Sequence, residues 1–540
     1  MSRTEPAPST APRPRERVDV VVVGARCAGS AAAIALARAG RSVIAIDRAH
    51  FPSDTLSTHA NFPSAVAEVQ RLGALERLQA ACDPPRVRLA RVVADGVSCT
   101  NRWEAVDGID YAQSVPRDVF DEVLVQTARE AGADVRERTT LLGLRWQEGR
   151  VAGVRVRDAE GEHEIDCDLV IGADGRRSAV AAAVGADRPY RGSLPERGCV
   201  YRYLDDPMVG TEWRETMVQF RQAASHVFVF PCPDDRMLVL FMGTREDVSA
   251  FRADPEGMWE RRLAENPAAA ERCAGATNPS KIRSTTDTSA YFRRSSGPGW
   301  ALCGDAGHFK DPAIGQGIRD ALRFGRLLGE GVAPVLGDPR ATDAAAAAVE
   351  RRRDRECRST YHWGNKESRI GLPSPLFKEA LRAFDGLDGE PWLARLFDRG
   401  GALGKAGAPH RILSPVVGAR LALRAALRRG TDRRALVQEV LEELRVDLDT
   451  RREERADRFR DERSRASERP LAEWPERPPH QRWSPERGRA APAQGAMAEA
   501  AAAARRSAEP TGDGRAPAPS PPGVGADHAP AGAPSTTTVA

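Results

Sequence analysis

Residues 18–29, VDVVVVGARCAG, decide the fold, because they join a buried strand to a glycine-rich turn. The nearly unbroken β-branched run at 18–23 is what a parallel strand covered on both faces requires. Gly24 follows where the chain must turn sharply, and the alanine-rich residues 27–39 predict a helix that packs close to a sheet. Gly40 ends this helix as a C-cap. The stretch therefore predicts the first half of a strand–helix–strand nucleotide-binding unit.

Asp47 completes this unit at the end of a second apolar strand, residues 42–46. An acid about 20 residues after the glycines binds a ribose hydroxyl in dinucleotide folds, and the positive end of the helix faces the pyrophosphate. Arg26 departs from the pattern, because it replaces the glycine at which backbone approaches phosphate most closely. Either Arg26 turns outward and meets a phosphate or ribose itself, or it blocks the pyrophosphate. Gly24 and Gly29 also fit plain packing of the helix on the strand.

A second glycine-rich segment lies far downstream. Residues 301–303 predict a short buried strand, and Gly304-Asp305 lets a carboxylate emerge at its end. Pro312 follows, and residues 315–317 open a helix. A carboxylate at a strand end followed by a glycine-opened helix suits a ribityl or ribose hydroxyl and aims N–H donors at an electron-poor ring. The two segments together predict FAD, held at both ends.

A third motif, DLVIGADGRRS at 168–178, places an Asp-Gly pair after an apolar strand. In this order the three motifs resemble those of the FAD-dependent monooxygenases of the aromatic hydroxylase type, which are related to geranylgeranyl reductases and flavin-dependent halogenases. The pair Asp47-Arg48 also agrees with that family. The resemblance covers residues 18–360. It implies an α/β fold with a Rossmann-like FAD-binding domain, an inserted antiparallel β-sheet substrate domain and a C-terminal helical region.

The resemblance implies that FAD contacts all three motifs. Asp305 binds the ribityl side, and residues 315–317 present N–H groups to the N1/O2 edge, where reduced flavin carries negative charge. Asp174 and Gly175 lie near the pyrophosphate and the approach of the nicotinamide, with an ordinary strand-ending turn as the alternative. Arg117 meets the FAD phosphates or ribose, or is a solvated surface arginine. The implied cofactor-binding residues are Gly24, Arg26, Gly29, Asp47, Arg48, Arg117, Asp174, Gly175, Gly304, Asp305, Pro312, Gly315 and Gly317.

Three residues are candidates for catalysis: His308, Lys310 and His59. Lysine is rare in this arginine-rich chain, so Lys310 inside the flavin motif predicts an anion-stabilising group near the flavin edge or substrate. A local ion pair with Asp311 is the alternative. His59 lies in a polar stretch that passes near the flavin in the family, where an imidazole shuttles a proton. For both histidines a hydrogen-bonded structural role stays open.

Composition describes a large enzyme of balanced charge. The chain has 540 residues and a formal net charge of +4 with mixed signs, so nucleic acid is not expected as a partner. Nine cysteines without a C-x-x-C pair predict reduced thiols, with neither a disulfide framework nor a metal site. No stretch has the length and apolar character of a membrane span, and we predict a cytoplasmic protein.

The motifs and composition divide the chain into six predicted segments. Residues 18–189 and 291–340 form the two parts of the FAD-binding domain, residues 190–290 the substrate-binding β-sheet domain, residues 341–449 the helical region, and residues 1–17 and 450–540 disordered ends. In the substrate domain Phe228, Phe230, Leu240 and Phe241 indicate an apolar ligand or plain core.

The sequence predicts an FAD-dependent, NAD(P)H-consuming monooxygenase. It would use molecular oxygen and a flavin hydroperoxide to hydroxylate a small organic substrate of apolar or aromatic character. One alternative is a flavin-dependent reductase or dehydrogenase of the geranylgeranyl reductase type. A flavin-binding protein without catalysis is an alternative of another class.

Overall fold

A computed structural model describes residues 15–57, 59–194, 197–222, 225–367, 374–398 and 415–459. The strands are β1 (Glu16–Val23), β2 (Val43–Ile46), β3 (Ala60–Asn61), β4 (Leu89–Ala94), β5 (Val97–Arg102), β6 (Gln113–Ser114), β7 (Asp134–Arg136), β8 (Thr140–Gln147), β9 (Arg150–Asp158), β10 (Gly161–Gly172), β11 (Arg191–Ser193), β12 (Arg197–Asp205), β13 (Thr216–Gln222), β14 (Ser225–Cys232), β15 (Arg236–Thr244), β16 (Arg283–Thr285), β17 (Ala290–Phe292), β18 (Ser296–Gly297), β19 (Trp300–Leu302) and β20 (His308–Phe309). The α-helices are α1 (Cys27–Arg38), α2 (Pro63–Arg71), α3 (Leu75–Cys82), α4 (Arg117–Glu130), α5 (Ala179–Ala183), α6 (Arg245–Ala253), α7 (Pro255–Ala264), α8 (Pro267–Arg272), α9 (Gly317–Val332), α10 (Pro339–Glu367), α11 (Pro375–Ala383), α12 (Trp392–Phe397), α13 (Pro415–Leu427) and α14 (Arg433–Phe459).

The predicted nucleotide-binding sheet is present and parallel at its centre. Its strands run in the order β18-β19-β10-β1-β2-β7, and β19, β10, β1, β2 and β7 pair in parallel. β8 and β9 form a hairpin that extends the sheet by antiparallel pairing of β9 with β10. Val20, Val21 and Val22 are fully buried, as a strand covered on both faces requires. The Rossmann-like fold is confirmed.

Small residues let α1 and α9 pack closely beside this sheet. A Cβ added at Gly325 in α9 would lie 2.3 Å from the carbonyl oxygen of Ala28 in α1. A Cβ added at Gly329 would lie 2.7 Å from the Cβ of Ala35. The alanines of α1 therefore pack against a helix as well as the sheet, and their contact holds α9 close to α1.

The substrate sheet has seven strands in the order β16-β12-β15-β14-β13-β4-β5. Its pairs are antiparallel except β13 and β4, which run in parallel. β4 and β5 come from residues 89–102, within the range predicted for the first part of the FAD-binding domain. β11 lies in a separate three-stranded sheet with β17 and β20. The sheet is therefore assembled from two distant parts of the chain.

The C-terminal part of the described chain is helical, as predicted. α10 and α14 cover much of the predicted helical region 341–449, and α14 continues to Phe459, past its predicted end. α11, α12 and α13 lie in the same region, of which residues 368–373 and 399–414 lie outside the described residues. Residues 1–14 and 460–540, predicted as disordered, also lie outside them, whereas β1 already begins at Glu16. Among the described helices, none combines the length and the apolar character needed to cross a bilayer.

Candidate active site

The three predicted motifs meet at the carboxyl ends of β1, β10 and β19. Gly24 has a φ of +100°, and a Cβ there would lie 2.5 Å from the carbonyl oxygen of Ala173. A Cβ on Gly304 would lie 2.7 Å from the Cβ of Ala28. Ligands of parallel sheets bind at this edge. Segments separated by more than a hundred residues therefore form one site.

The turn after β1 has the geometry of a phosphate-binding loop. A Cβ on Gly29 would lie 1.7 Å from the carbonyl oxygen of Gly24, so a side chain is excluded there. Asp47 accepts hydrogen bonds from the backbone N–H groups of Ala25 at 2.9 Å and Ala49 at 2.8 Å. No side chain caps the N-terminus of α1, so its N–H groups and dipole remain available to an anion.

Arg26 turns away from this loop. Its guanidinium donates to the Ser53 carbonyl at 3.0 Å and to the Ser53 hydroxyl at 2.9 Å, and it forms an ion pair with Asp121. The guanidinium carbon lies 5.3 Å from the centre of the Phe51 ring. Of the two orientations considered, the side chain takes the outward one, and a contact with phosphate or ribose stays a prediction.

Asp121 is a site residue that the sequence analysis missed. Its side chain is fully buried and accepts from Arg117 Nη2 at 2.8 Å and from Arg117 Nε at 3.0 Å. The Cys27 thiol lies 3.4 Å from the same carboxylate, and burial raises the pKa of that thiol to about 12. Arg117 is 9% exposed, not the solvated residue of the alternative. The spacing of Arg117 and Asp121, one helical turn, is the signal that marks the pair.

Asp305 lies at the centre of the motifs, and the described residues leave its carboxylate without a hydrogen-bond donor. Its backbone oxygen accepts from the Tyr291 hydroxyl at 2.7 Å, but no described residue donates to its side chain. Burial raises the pKa of Asp305, opposed by the positive charges of Arg176, Arg117 and Arg293. Hydroxyl donors of a ribityl chain would satisfy this carboxylate.

Asp174 lies two residues after the end of β10 and binds the N-terminus of α5. Its Oδ2 accepts from the N–H groups of Ala179 at 2.6 Å and Val180 at 3.2 Å, whereas its Oδ1 is buried without a hydrogen-bond partner in the described part of the chain. Burial raises the pKa of Asp174. Gly175 takes a φ of +76°, typical of the tight turn that the alternative proposed. A role toward the pyrophosphate stays a prediction.

The loop before α9 presents backbone to open space. Gly315 has a φ of +62°, and a Cβ there would lie 2.6 Å from the Phe62 ring. A Cβ on Gly317 would meet nothing within 4 Å. No side chain caps the N-terminus of α9, and Pro312 begins the short 3-10 turn before it. The N-terminal dipole of α9 is therefore free to stabilise a negatively charged ring edge.

His308 and Lys310 lie behind this loop, between α9 and α10. Lys310 is 5% exposed, donates to the Thr360 hydroxyl at 3.0 Å and forms an ion pair with Asp320, which also binds Arg319. His308 Nε2 lies 3.4 Å from Asp320, and burial lowers the pKa of His308 to about 4. Two cations therefore share one carboxylate beneath the loop. Catalytic roles for His308 and Lys310 stay predictions.

The same carboxylate belongs to a group that resembles a metal site. Ligand atoms of His308, Asp320 and Cys357 lie within 4.8 Å of one another. Lys310 and Arg319 already compensate the charge of Asp320, and burial raises the pKa of Cys357 to about 12. A protonated thiol and a paired carboxylate are poor metal ligands.

His59 lies at the edge of the substrate sheet. It is 1% exposed and takes a φ of +61°, which is uncommon for a residue with a side chain. Its Nε2 is 3.1 Å from the Tyr203 hydroxyl, and its ring makes an edge contact with Tyr201 at 5.7 Å between centroids. Burial lowers the pKa of His59 to about 3, so its imidazole is neutral at ordinary pH.

An apolar pocket lies between the sheet and the loop before α9. Its lining combines the predicted sheet residues with the flavin motif: Ala60, Phe62, Met217, Phe228, Phe230, Leu240, Met242, Pro312, Ala313, Gly315 and Phe397. Phe241 points to the opposite face, where it packs 4.6 Å from the Trp259 ring. The side chains of β13 to β15 alternate between the two faces, so of the four predicted residues only Phe241 lies outside the cavity.

The residues present fit FAD. The Asp305 carboxylate, which no described residue binds, suits its hydroxyls, and the two uncapped helix N-termini suit its pyrophosphate and ring edge. Arg48, exposed and without a described hydrogen-bond partner, lies beside Asp47 where an adenosine would bind.

Comparison with known proteins agrees with this geometry. The model of the FAD binding domain family matches residues 17–359. The chain is 29% identical over 324 residues to the menaquinone reductase of Mycolicibacterium smegmatis, covering 58% of this chain and 76% of that protein. It is 28% identical over 381 residues to digeranylgeranylglycerophospholipid reductase 2 of Methanopyrus kandleri, covering 69% and 91%.

Solved structures share the fold at lower identity. A geranylgeranyl bacteriochlorophyll reductase-like protein from Thermoplasma acidophilum has a TM-score of 0.57 and 17% identity, covering 79% of this chain and all of that one. The myxobacterial chondrochloren halogenase CndH has a TM-score of 0.59 and 21% identity, covering 76% and 97%. With the family model matching well over half of the chain, the motif resemblance is confirmed: the chain belongs to the FAD binding domain family and is an FAD-dependent oxidoreductase.

Proposed function

We propose that this protein is an FAD-dependent reductase that saturates a double bond in an apolar, isoprenoid-type substrate. Two relatives named above are reductases whose substrates, menaquinone and a digeranylgeranyl lipid, carry polyisoprenoid chains. This reading replaces hydroxylation as the leading hypothesis. The use of NAD(P)H and the cytoplasmic location stay predictions.

The observation that carries the proposal is the apolar pocket beside the loop before α9. Gly315 and Pro312 form one wall, and the aromatic pair Phe228 and Phe230, stacked at 5.9 Å, lies on the sheet side. Such a wall offers an alkene contact area and excludes water, but it offers few partners for a polar substrate. When bound, FAD carries hydride to the substrate. The backbone of Gly317 and the dipole of α9 would hold its charged edge against this wall.

The Tyr203 hydroxyl is our proposed source of the proton that saturation also requires. It lies on the cavity face of the sheet, because Tyr203 pairs with Leu238, which in turn pairs with the cavity residue Phe230. The neutral His59 imidazole fixes the hydroxyl at 3.1 Å and connects it to the loop after β2. Tyr203→Phe is expected to lower turnover about a hundredfold.

Tyr201→Phe is the matched control, since Tyr201 contacts the same imidazole but bonds to the backbone of Ser57. Anaerobic flavin reduction by NAD(P)H should proceed at the wild-type rate in both variants, because the proton enters after that step. Equal turnover of the two variants, or slowed flavin reduction in Tyr203→Phe, would contradict the role of the Tyr203 hydroxyl.

Turnover of a geranylgeranyl-chain substrate without oxygen tests the reductase itself. Protein reconstituted with FAD and supplied with NADPH or NADH is expected to give a product heavier by pairs of hydrogens, at the same rate in air and in its absence. A product heavier by one oxygen, formed only in air, would instead support the monooxygenase. Protein that binds FAD but shows no flavin reduction and no product would support a binding protein.

A further inference from the structure

Helix α13 has an apolar face that packing within the described chain leaves exposed. Leu421 and Ala425 are buried on one side of the helix. On the other side Val416, Leu423 and Leu427 are 60%, 61% and 75% exposed. Their spacing of seven and four residues places all three on one side at about 3.6 residues per turn. The helix is therefore apolar on two opposite sides, and the described residues cover only one of them.

The exposed side carries a strong positive charge. Residues 415–434 contain six arginines and one acid, Asp432, a formal charge of 6 − 1 = +5, whereas the whole chain of 540 residues has +4. Arg428 forms an ion pair with Glu379. The other five are exposed and form no ion pair with a described residue: Arg420, Arg424, Arg429, Arg433 and Arg434. Arg420 lies between Val416 and Leu423 on the apolar side.

This combination identifies one occupant. Leucine and valine side chains enter the boundary between headgroups and acyl chains, while guanidinium groups at the same level bind anionic headgroups. A second copy of the chain is a poor occupant, because a symmetric contact would bring two clusters of five unpaired arginines together. α14 also has exposed apolar side chains: Val437, Leu441, Leu444 and Leu448. Three acids lie among them, Glu442, Glu443 and Asp447, so the middle of α14 lacks the positive charge that anionic headgroups require.

We propose that α13 and the turn to α14, residues 415–434, dock this protein in the surface of an anionic lipid bilayer. Docking in the plane of the interface needs no membrane-crossing helix. It would bring the cavity close to lipids that carry isoprenoid chains, although the surface is inferred independently of the proposed reaction.

Sedimentation of the full-length protein with substrate-free vesicles tests this surface. Wild type is expected to bind phosphatidylglycerol vesicles at low salt, to bind phosphatidylcholine vesicles at least about tenfold more weakly, and to be released as salt shortens the electrostatic range. The double variant Leu423→Asp with Leu427→Asp should abolish binding to both kinds of vesicle. Arg424→Gln with Arg429→Gln and Arg433→Gln should weaken binding to the anionic vesicles about a hundredfold.

Val209→Asp is the matched control, because Val209 is 47% exposed but follows two acids, Asp205 and Asp206, and should bind like wild type. FAD content and thermal unfolding verify that each variant folds. Absence of vesicle binding by wild type, or unchanged binding by the leucine variant, would overturn the proposal. Concentration-dependent self-association that the leucine variant abolishes would assign the surface to a second copy. None of these measurements requires turnover.

Discussion

At the scale of single residues, Gly317 tests whether the cofactor ring lies against α9. A methyl group at this position meets nothing within 4 Å in the protein, so Gly317→Ala should leave unfolding of the FAD-free protein unchanged or slightly stabilised. The same methyl group would stand between the first N–H groups of α9 and a flavin edge. The dissociation constant for FAD is therefore expected to rise about tenfold.

Equilibrium titration of the apoprotein, followed by flavin fluorescence, measures this effect. Gly418→Ala in α13 is the control, because its added Cβ also meets nothing within 4 Å and lies in a helix outside the motifs. Unchanged FAD affinity in Gly317→Ala would show that the ring does not approach this helix.

Local backbone requirements made part of the site predictable. Gly24 and Gly29 are required by a positive φ and by a close approach, and such requirements are visible in a single sequence. The direction in which the Arg26 side chain turns could not be predicted in this way, because its partner Asp121 lies 95 residues away. A pairing of that kind depends on how α1 and α4 pack, which the residues around Arg26 do not encode.

At the scale of elements, Glu68 joins α2 to α9. Its carboxylate is 1% exposed and accepts from Arg326 Nε at 2.8 Å, from Arg323 at 3.3 Å and from Arg71 at 2.6 Å. Burial alone would raise the pKa of Glu68. The hydrogen bonds and positive charges of the arginines outweigh this effect, so the pKa is lower than its usual value of 4.5. Glu68→Gln is expected to destabilise the protein at neutral pH by about 2 kcal/mol.

The pH dependence follows from the direction of this shift. A carboxylate whose pKa is lower in the folded state stabilises the fold above its unfolded pKa, and the contribution is lost as pH falls below about 4.5 toward the folded value. The difference in unfolding free energy between wild type and Glu68→Gln should therefore shrink between neutral and acidic pH in urea titrations. Glu330→Gln, which removes a half-exposed partner of the same Arg326, should cost only about 0.5 kcal/mol. A difference that stays constant with pH would refute the assignment.

At the scale of the whole molecule, the two faces of a strand were more predictable than its neighbours in the sheet. Alternating burial along β13 to β15 is set by the two-residue repeat of a strand, so the sheet and most of its cavity residues follow from sequence. The addition of β4 and β5 to this sheet does not follow from sequence. The alternation of apolar and polar residues identifies the two faces of a strand, but it does not identify the neighbouring strand. The parallel pairing of β4 with β13 connects residues more than a hundred positions apart.

The interval between the two glycine-rich segments has a consequence for biosynthesis. A growing polypeptide possesses its first turn early, yet β19 and α9 are missing until residues 300–332 leave the ribosome. Before that moment the site for FAD lacks Asp305 and the N-terminus of α9. Once these are made, binding of FAD stabilises the finished fold by mass action. Riboflavin shortage should thus reduce the abundance of this protein in cells, and supplementation should restore it, with no change in transcription.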